Sequence, residues 1–198
     1  MNIVIISGSS RQQSQSRRIS DIVKTAWIDK YAEDMVDIID LSEHQIPLWD
    51  EAIWEGNWSY QPQWLAISNR LKAADACIFV VPEWAGMAPA QVKNFLLLAD
   101  LDLAHKPSLI ISISSGMGGS YPVAELRMSG YKNTHLLWIP DHVIIRKCQD
   151  FYPNASGYGF ETNRLDYCLT LLQAYATRLQ GLSHDLQTQG LLEHRYGM

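Results

Sequence analysis

The chain lacks a long apolar run, a cysteine pair and an excess of basic residues, and each absence removes a class of function. No uninterrupted apolar stretch reaches the roughly 20 residues that a membrane-crossing helix needs. Met1-Asn2 leads at once into strand-like sequence, without the ordered basic region, apolar core and cleavage site of an export signal. Only three cysteines occur, at 77, 148 and 168, with no Cys-x-x-Cys spacing, which argues against disulfides and against a zinc site. A cytoplasmic location is the expectation, so the glycosylation patterns at Asn57-Trp58-Ser59 and Asn154-Ala155-Ser156 carry no meaning. Sixteen Lys and Arg against 21 Asp and Glu give a net charge of -5, the wrong sign for a nucleic-acid surface. Also missing are Gly-x-Gly-x-x-Gly, Gly-x-x-x-x-Gly-Lys, Gly-x-Ser-x-Gly and His-Glu-x-x-His. Dinucleotide-binding, triphosphatase, common hydrolase and zinc-protease readings lose their motifs. With 198 residues, one domain over 1–198 is expected.

What is present alternates. Apolar, β-branched runs predict strands over 2–7, 35–40, 76–82, 108–114 and 136–145. Helical periods lie between them, at about 17–32, 62–74, 90–103 and 122–132. A final helix carries Leu165, Cys168, Leu169, Leu172, Tyr175, Ala176 and Leu179 on one stripe. Strands separated by helices imply right-handed crossovers and a parallel sheet covered on both faces. Five strands in this pattern predict a three-layer α/β fold, doubly wound in the order 2-1-3-4-5. Such a sheet binds its ligand at the carboxyl ends of the strands, where the winding reverses.

The loops at that edge should therefore converge, and their composition is unusual. Gly8-Ser9-Ser10-Arg11-Gln12-Gln13-Ser14-Gln15-Ser16 follows the first strand and runs into a helix. Unpaired N–H groups and the helix dipole favour an anion there, with serine hydroxyls and the Arg11 guanidinium as further donors. The plainer alternative for such a loop is a serine cap. After the third strand comes Pro82-Glu83-Trp84-Ala85-Gly86-Met87-Ala88-Pro89, a stiff loop carrying a large aromatic, with Pro89 expected in the first turn of the next helix. After the fourth comes Ser114-Ser115-Gly116-Met117-Gly118-Gly119, whose glycines allow close approach to a flat ligand. Together they suit a planar, phosphorylated molecule.

These motifs resemble the NAD(P)H-dependent FMN reductases, a flavodoxin-like family. The likeness rests on Gly8-Ser9-Ser10-Arg11 with Ser14, on Pro82-Glu83-Trp84 through Pro89 with Lys93-Asn94, and on Ser114 to Gly119 with Leu126-Arg127, over roughly residues 2–145. It implies that Ser9, Arg11, Ser14, Gln15 and Ser16 surround the FMN phosphate. Pro82, Glu83, Trp84 and Ala85 would border the isoalloxazine through their backbone groups, with Ser115, Gly116, Gly118 and Gly119 as another wall. Arg11 could instead meet a phosphate of the nicotinamide nucleotide. Met117 and Gly119 would leave room for the nicotinamide.

The resemblance further implies hydride transfer from NADPH or NADH through the flavin to free flavin, quinones or similar small acceptors. No side chain is then needed as nucleophile or proton donor. A homodimer or homotetramer is implied, with the partner helping to shape the cleft. The alternative is a non-enzymatic FMN protein that shuttles electrons or binds a partner. Family members usually carry tyrosine then asparagine where this chain has Trp84 and Ala85, which removes a phenol and an amide.

Other constellations have plainer readings. Asp40 ends the second strand where a dinucleotide-binding acid would stand, but without the glycine motif. Asp141-His142 is expected as a strand-end turn, Cys77 as an inert core residue, and Lys24, Asp29, Lys30, Glu33 and Asp34 as a solvated helix face. Trp49, Trp54, Trp58 and Trp64 fall in one short segment. It is read first as a loop packed on the protein or a subunit interface, and second as an aromatic lid.

Overall fold

β-Branched runs do set the strands. In the computed structural model, which describes residues 1–43, 46–55 and 61–189, Asn2–Ser7 (β1), Met35–Asp40 (β2), Ala76–Pro82 (β3), Pro107–Ile113 (β4) and Leu137–Ile145 (β5) form one parallel sheet. Its order is β2-β1-β3-β4-β5, the flavodoxin-like arrangement expected. β3 and β4 are buried along their whole lengths, as central strands apolar on both sides of the pleat must be. Trp58 and the pattern at 57–59 lie outside the described residues.

Helices cover both faces. Gln15–Lys30 (α1) and Gly159–Leu179 (α6) pack Ile19, Val23, Trp27, Leu165, Leu169 and Leu172 against one side. On the other lie Ala52–Glu55 (α2), Gln61–Ala73 (α3), Ala90–Ala99 (α4) and Ser120–Met128 (α5). A short helix, Leu182–Thr188 (α7), follows α6. Among the described residues no helix is long and apolar enough to cross a membrane.

Some local expectations are corrected. The helix expected over 90–103 stops at Ala99, because Asp100 turns to φ 43° and a 3-10 turn carries the chain to Leu103. The helix expected at 122–132 spans 120–128, so Pro122 falls in its first turn, where no N–H is missed. Pro89 is the residue capping α4, one place before its first turn. Asp141-His142 is no turn: both lie inside β5, where His142 pairs in register with Ile110 and Asp141 binds Arg164 of α6. The charged face of α1 is only partly solvated. Lys30 Nζ reaches Asp166 at 2.6 Å and Thr170 at 2.7 Å, pinning α1 to α6, while Asp34 accepts from Trp27 Nε1 at 3.0 Å. Cys77 is fully buried, and burial pushes its thiol up to about 11, which suits an inert residue.

Candidate functional site

The winding of this sheet reverses between β1 and β3, so the loops leaving β1, β3 and β4 share one rim. The first is drawn in closely. Gly8 N–H donates to Val80 O at 2.9 Å, and a Cβ at Gly8 would lie 2.8 Å from Val92 Cγ2 and 3.0 Å from Val80 O. Only a glycine fits between β3 and α4. Ser14 then caps α1, its hydroxyl oxygen accepting from Arg17 N–H at 3.0 Å. Ser9 Oγ likewise accepts from Arg11 N–H at 3.2 Å. The capping reading is thus correct for Ser14, but it does not use up the loop. Ser16 in the first turn and Ser7 at the end of β1 are buried, and among the described residues neither hydroxyl has a partner. Buried hydroxyls left unpaired are costly, so the start of α1 keeps bonding capacity that the capping bonds do not use. Arg11 stands exposed beside it, whereas Gln15 accepts from Arg18 Nε at 2.7 Å and keeps its amide N–H groups to donate.

The second loop is a tight hairpin. Trp84 and Met87 exchange backbone hydrogen bonds of 3.0 and 2.9 Å, with Ala85 and Gly86 at φ 49° and 73°. Positive φ at both central residues is the type I′ pattern, which favours asparagine followed by glycine. The amide N–H groups of Glu83 and Trp84 are therefore committed, to Ile113 O and Met87 O, and cannot read a ligand edge as expected. The Glu83 carboxylate is turned away as well, onto the N-terminus of α5.

The third loop backs onto the segment after β5. Carbonyls of Ser114, Gly116 and Met117 accept from Cys148 N–H, Lys147 N–H and Arg146 Nε. Ser115 and Gly116 are exposed at the rim. Gly119 is buried at φ 105°, and a Cβ there would meet Ile144 Cγ2 at 2.6 Å. It is a glycine because of β5, before any ligand is considered.

Arg17 and Arg18, which carry no motif in the sequence, support the rim from behind. Arg18 bonds the carbonyls of Phe151 and Cys148 and lies over the Tyr152 ring, tying the start of α1 to the chain beyond β5. Arg17 stands 3.7 Å from Asp40, which is almost wholly buried and also accepts from Ser42 N–H. Asp40 is thereby committed within the protein rather than free for a ribose. Asn94 of α4 donates to Pro47 O at 2.8 Å and accepts from Trp49 N–H at 2.7 Å, latching the tryptophan-rich segment. Trp49 meets Trp54 edge-on, and Trp64 is buried against Phe95. The packed reading holds for Trp49 and Trp64, while Trp54 and Leu48 stay exposed. Among the described residues no cluster of three His, Cys, Asp or Glu side chains is placed to hold a metal ion.

Comparison with known proteins decides the family. Residues 1–150 match the family described as NADPH-dependent FMN reductase. The chain belongs to the NADPH-dependent FMN reductases. It is 31% identical over 153 residues to an Arabidopsis thaliana NADPH:quinone oxidoreductase, covering 74% of this chain and 76% of that protein. In structure, this reductase resembles an oxidoreductase from Corynebacterium diphtheriae with TM-score 0.71 and 19% identity, over 89% of this chain and 97% of that one. FerB of Paracoccus denitrificans, a flavoenzyme NAD(P)H:(acceptor) oxidoreductase, gives TM-score 0.66 and 18% identity, over 90% and 98%. At such identities the two structures speak to the fold alone.

Proposed function

We propose that this reductase binds FMN at the β1/β3 rim and uses NADPH or NADH to reduce quinones, free flavin or similar small acceptors. The observation that carries the reading is the loop of residues 8–16. It presents a helix N-terminus, the buried hydroxyl of Ser16, which has no partner among the described residues, and an exposed arginine, at the point where the winding reverses. A second helix N-terminus on this rim, that of α5, already holds a carboxylate, that of Glu83. On this reading the anionic tail is assigned to α1.

On this reading Ser9, Arg11, Ser14, Gln15 and Ser16 hold the phosphate. Pro82, Glu83, Trp84 and Ala85 form one border of the ring, and Ser115, Gly116, Gly118 and Gly119 the other. Bound FMN supplies the two-electron chemistry, and the protein supplies position and exclusion of water. Trp84 offers a half-buried aromatic surface in place of a phenol. No side chain is assigned proton transfer. Exposed Met87, Met117 and Tyr121 beside the rim are surfaces that a second subunit would cover, which supports a homodimer or homotetramer. Three unpaired, buried cysteines fit a reducing compartment such as the cytoplasm, and one flavodoxin-like domain spans 1–198 in this proposal.

The test is to load the protein with FMN, remove oxygen and add NADPH. Rapid bleaching of the long-wavelength flavin band, reversed by a quinone, is expected. A band that persists until dithionite is added would favour an electron carrier instead. Failure to take up FMN at all would overturn the site.

A further inference from the structure

Resting on the flavin reading above, we propose that Glu83 is a positioning residue that locks the loop after β3 to the N-terminus of α5. It would thereby set the separation of the two loops flanking the ring. The need begins at α5, whose capping position is Gly119. That residue has no side chain to cap with, and Ile144 forbids it one. The missing acceptor comes from the neighbouring loop: Glu83 Oε2 accepts from Gly119 N–H at 2.6 Å and from Tyr121 N–H at 3.3 Å. A carboxylate at a helix N-terminus is favoured by both the unpaired N–H groups and the dipole.

A second carboxylate makes the return connection. Glu125 of α5 accepts from Ala88 N–H at 2.7 Å and from Lys93 Nζ at 2.8 Å, at the far end of the same loop. Burial opposes the charge on Glu125, yet those bonds from Lys93 and Ala88 hold its carboxyl below the ordinary value. The loop is thus stitched to α5 at both ends, and the hairpin that carries Trp84 lies between the stitches. Gly118 completes the joint, because a Cβ there would run into the Glu83 carboxylate. Among the described residues the α1 N-terminus has no such partner from another loop, and its cap is the hydroxyl of its own Ser14. The α5 end serves as a fastening, and on the flavin reading the α1 end takes the anion.

The experiment compares wild type with Glu83→Ala, Glu83→Gln, Gly118→Ala and the Glu83→Ala/Gly118→Ala pair. FMN affinity is measured by fluorescence quenching, alongside the position of the bound flavin's visible band and its midpoint potential. Glu83→Ala should raise the Kd about tenfold or more, the factor given by one lost charge-assisted hydrogen bond. It should also shift the band and the potential. Glu83→Gln, which keeps an acceptor oxygen, should stay within about threefold of wild type, since a neutral acceptor retains roughly half the bond. Gly118→Ala should weaken binding in the wild-type background but scarcely at all when Glu83 is already alanine, the non-additivity expected of touching groups. The Gln and Gly118 variants keep the test alive if Glu83→Ala does not fold. Wild-type affinity and spectrum in Glu83→Ala, or an equal Gly118→Ala effect in both backgrounds, overturns the fastening while the flavin site stands. A wild-type protein that takes up no FMN overturns the flavin reading itself.

Discussion

Ala85 sits at φ 49° in the hairpin between Trp84 and Met87, a conformation that an alanine pays for and an asparagine tolerates. The left-handed region brings Cβ against the carbonyl oxygen and costs a non-glycine residue about 1 kcal/mol or more. Asparagine offsets part of that cost through local hydrogen bonds of its side chain. Residue 85 is exposed, so the exchange sacrifices no packing. Replacing Ala85 by Asn should therefore stabilise the fold by about 0.5–1 kcal/mol. For a chain of this length that corresponds to a rise in Tm of about 1–4 °C. Ala85→Gly should be nearly neutral, because relief of strain is offset by a more flexible unfolded chain. Ala85→Val should be destabilising by about 1 kcal/mol or more, since a β-branched residue at positive φ is an outlier. Thermal unfolding followed by circular dichroism, with and without FMN, separates the three. A lower Tm for Ala85→Asn together with a neutral Ala85→Val would refute the strain.

Arg11→Ala should weaken FMN binding by about 1–3 kcal/mol, the scale of a hydrogen bond to a charged group; an unchanged Kd in a titration places Arg11 outside the site. Asn94→Ala removes both bonds to Pro47 and Trp49 and should cost about 1–2 kcal/mol in urea unfolding, with a changed near-ultraviolet tryptophan signal. A silent spectrum would show that the latch does not hold the segment. Burial, then the nearby Arg127 and Arg164, hold His142 below the ordinary histidine value. The unfolded chain therefore binds the proton first, and stability should fall as pH drops through about 6.5 and below. His142→Gln should flatten that part of a stability-against-pH curve, and an unaltered slope would show that His142 is not responsible.

The strands were legible because Ile3 to Ile6, Ile78 to Val81 and Leu109 to Ile111 are apolar on both sides of the pleat, a local property of each segment. Alternation with helical periods then left few ways to wind the sheet, and the winding placed the three loops on one rim. Serine, arginine and glycine at those loops followed from chemistry that the residues carry wherever they sit. The end of α4 was not legible, since Asp100 leaves the helix within a run that keeps its apolar period. Nor was the fate of Asp40 or Glu83, each of which looked available to a ligand. The guanidinium beside Asp40 belongs to Arg17, and the N–H donors for Glu83 lie 36 and 38 residues further along the chain.

Sequence by itself thus determined the layers, the strand order and the edge at which a ligand belongs, because periodicity and crossover handedness act through neighbouring residues. Tertiary structure alone decided which polar groups on that edge remain open. Hydrogen-bond partners are chosen by proximity in space, so Ser16 stays free while the carboxylate of Glu83 is taken.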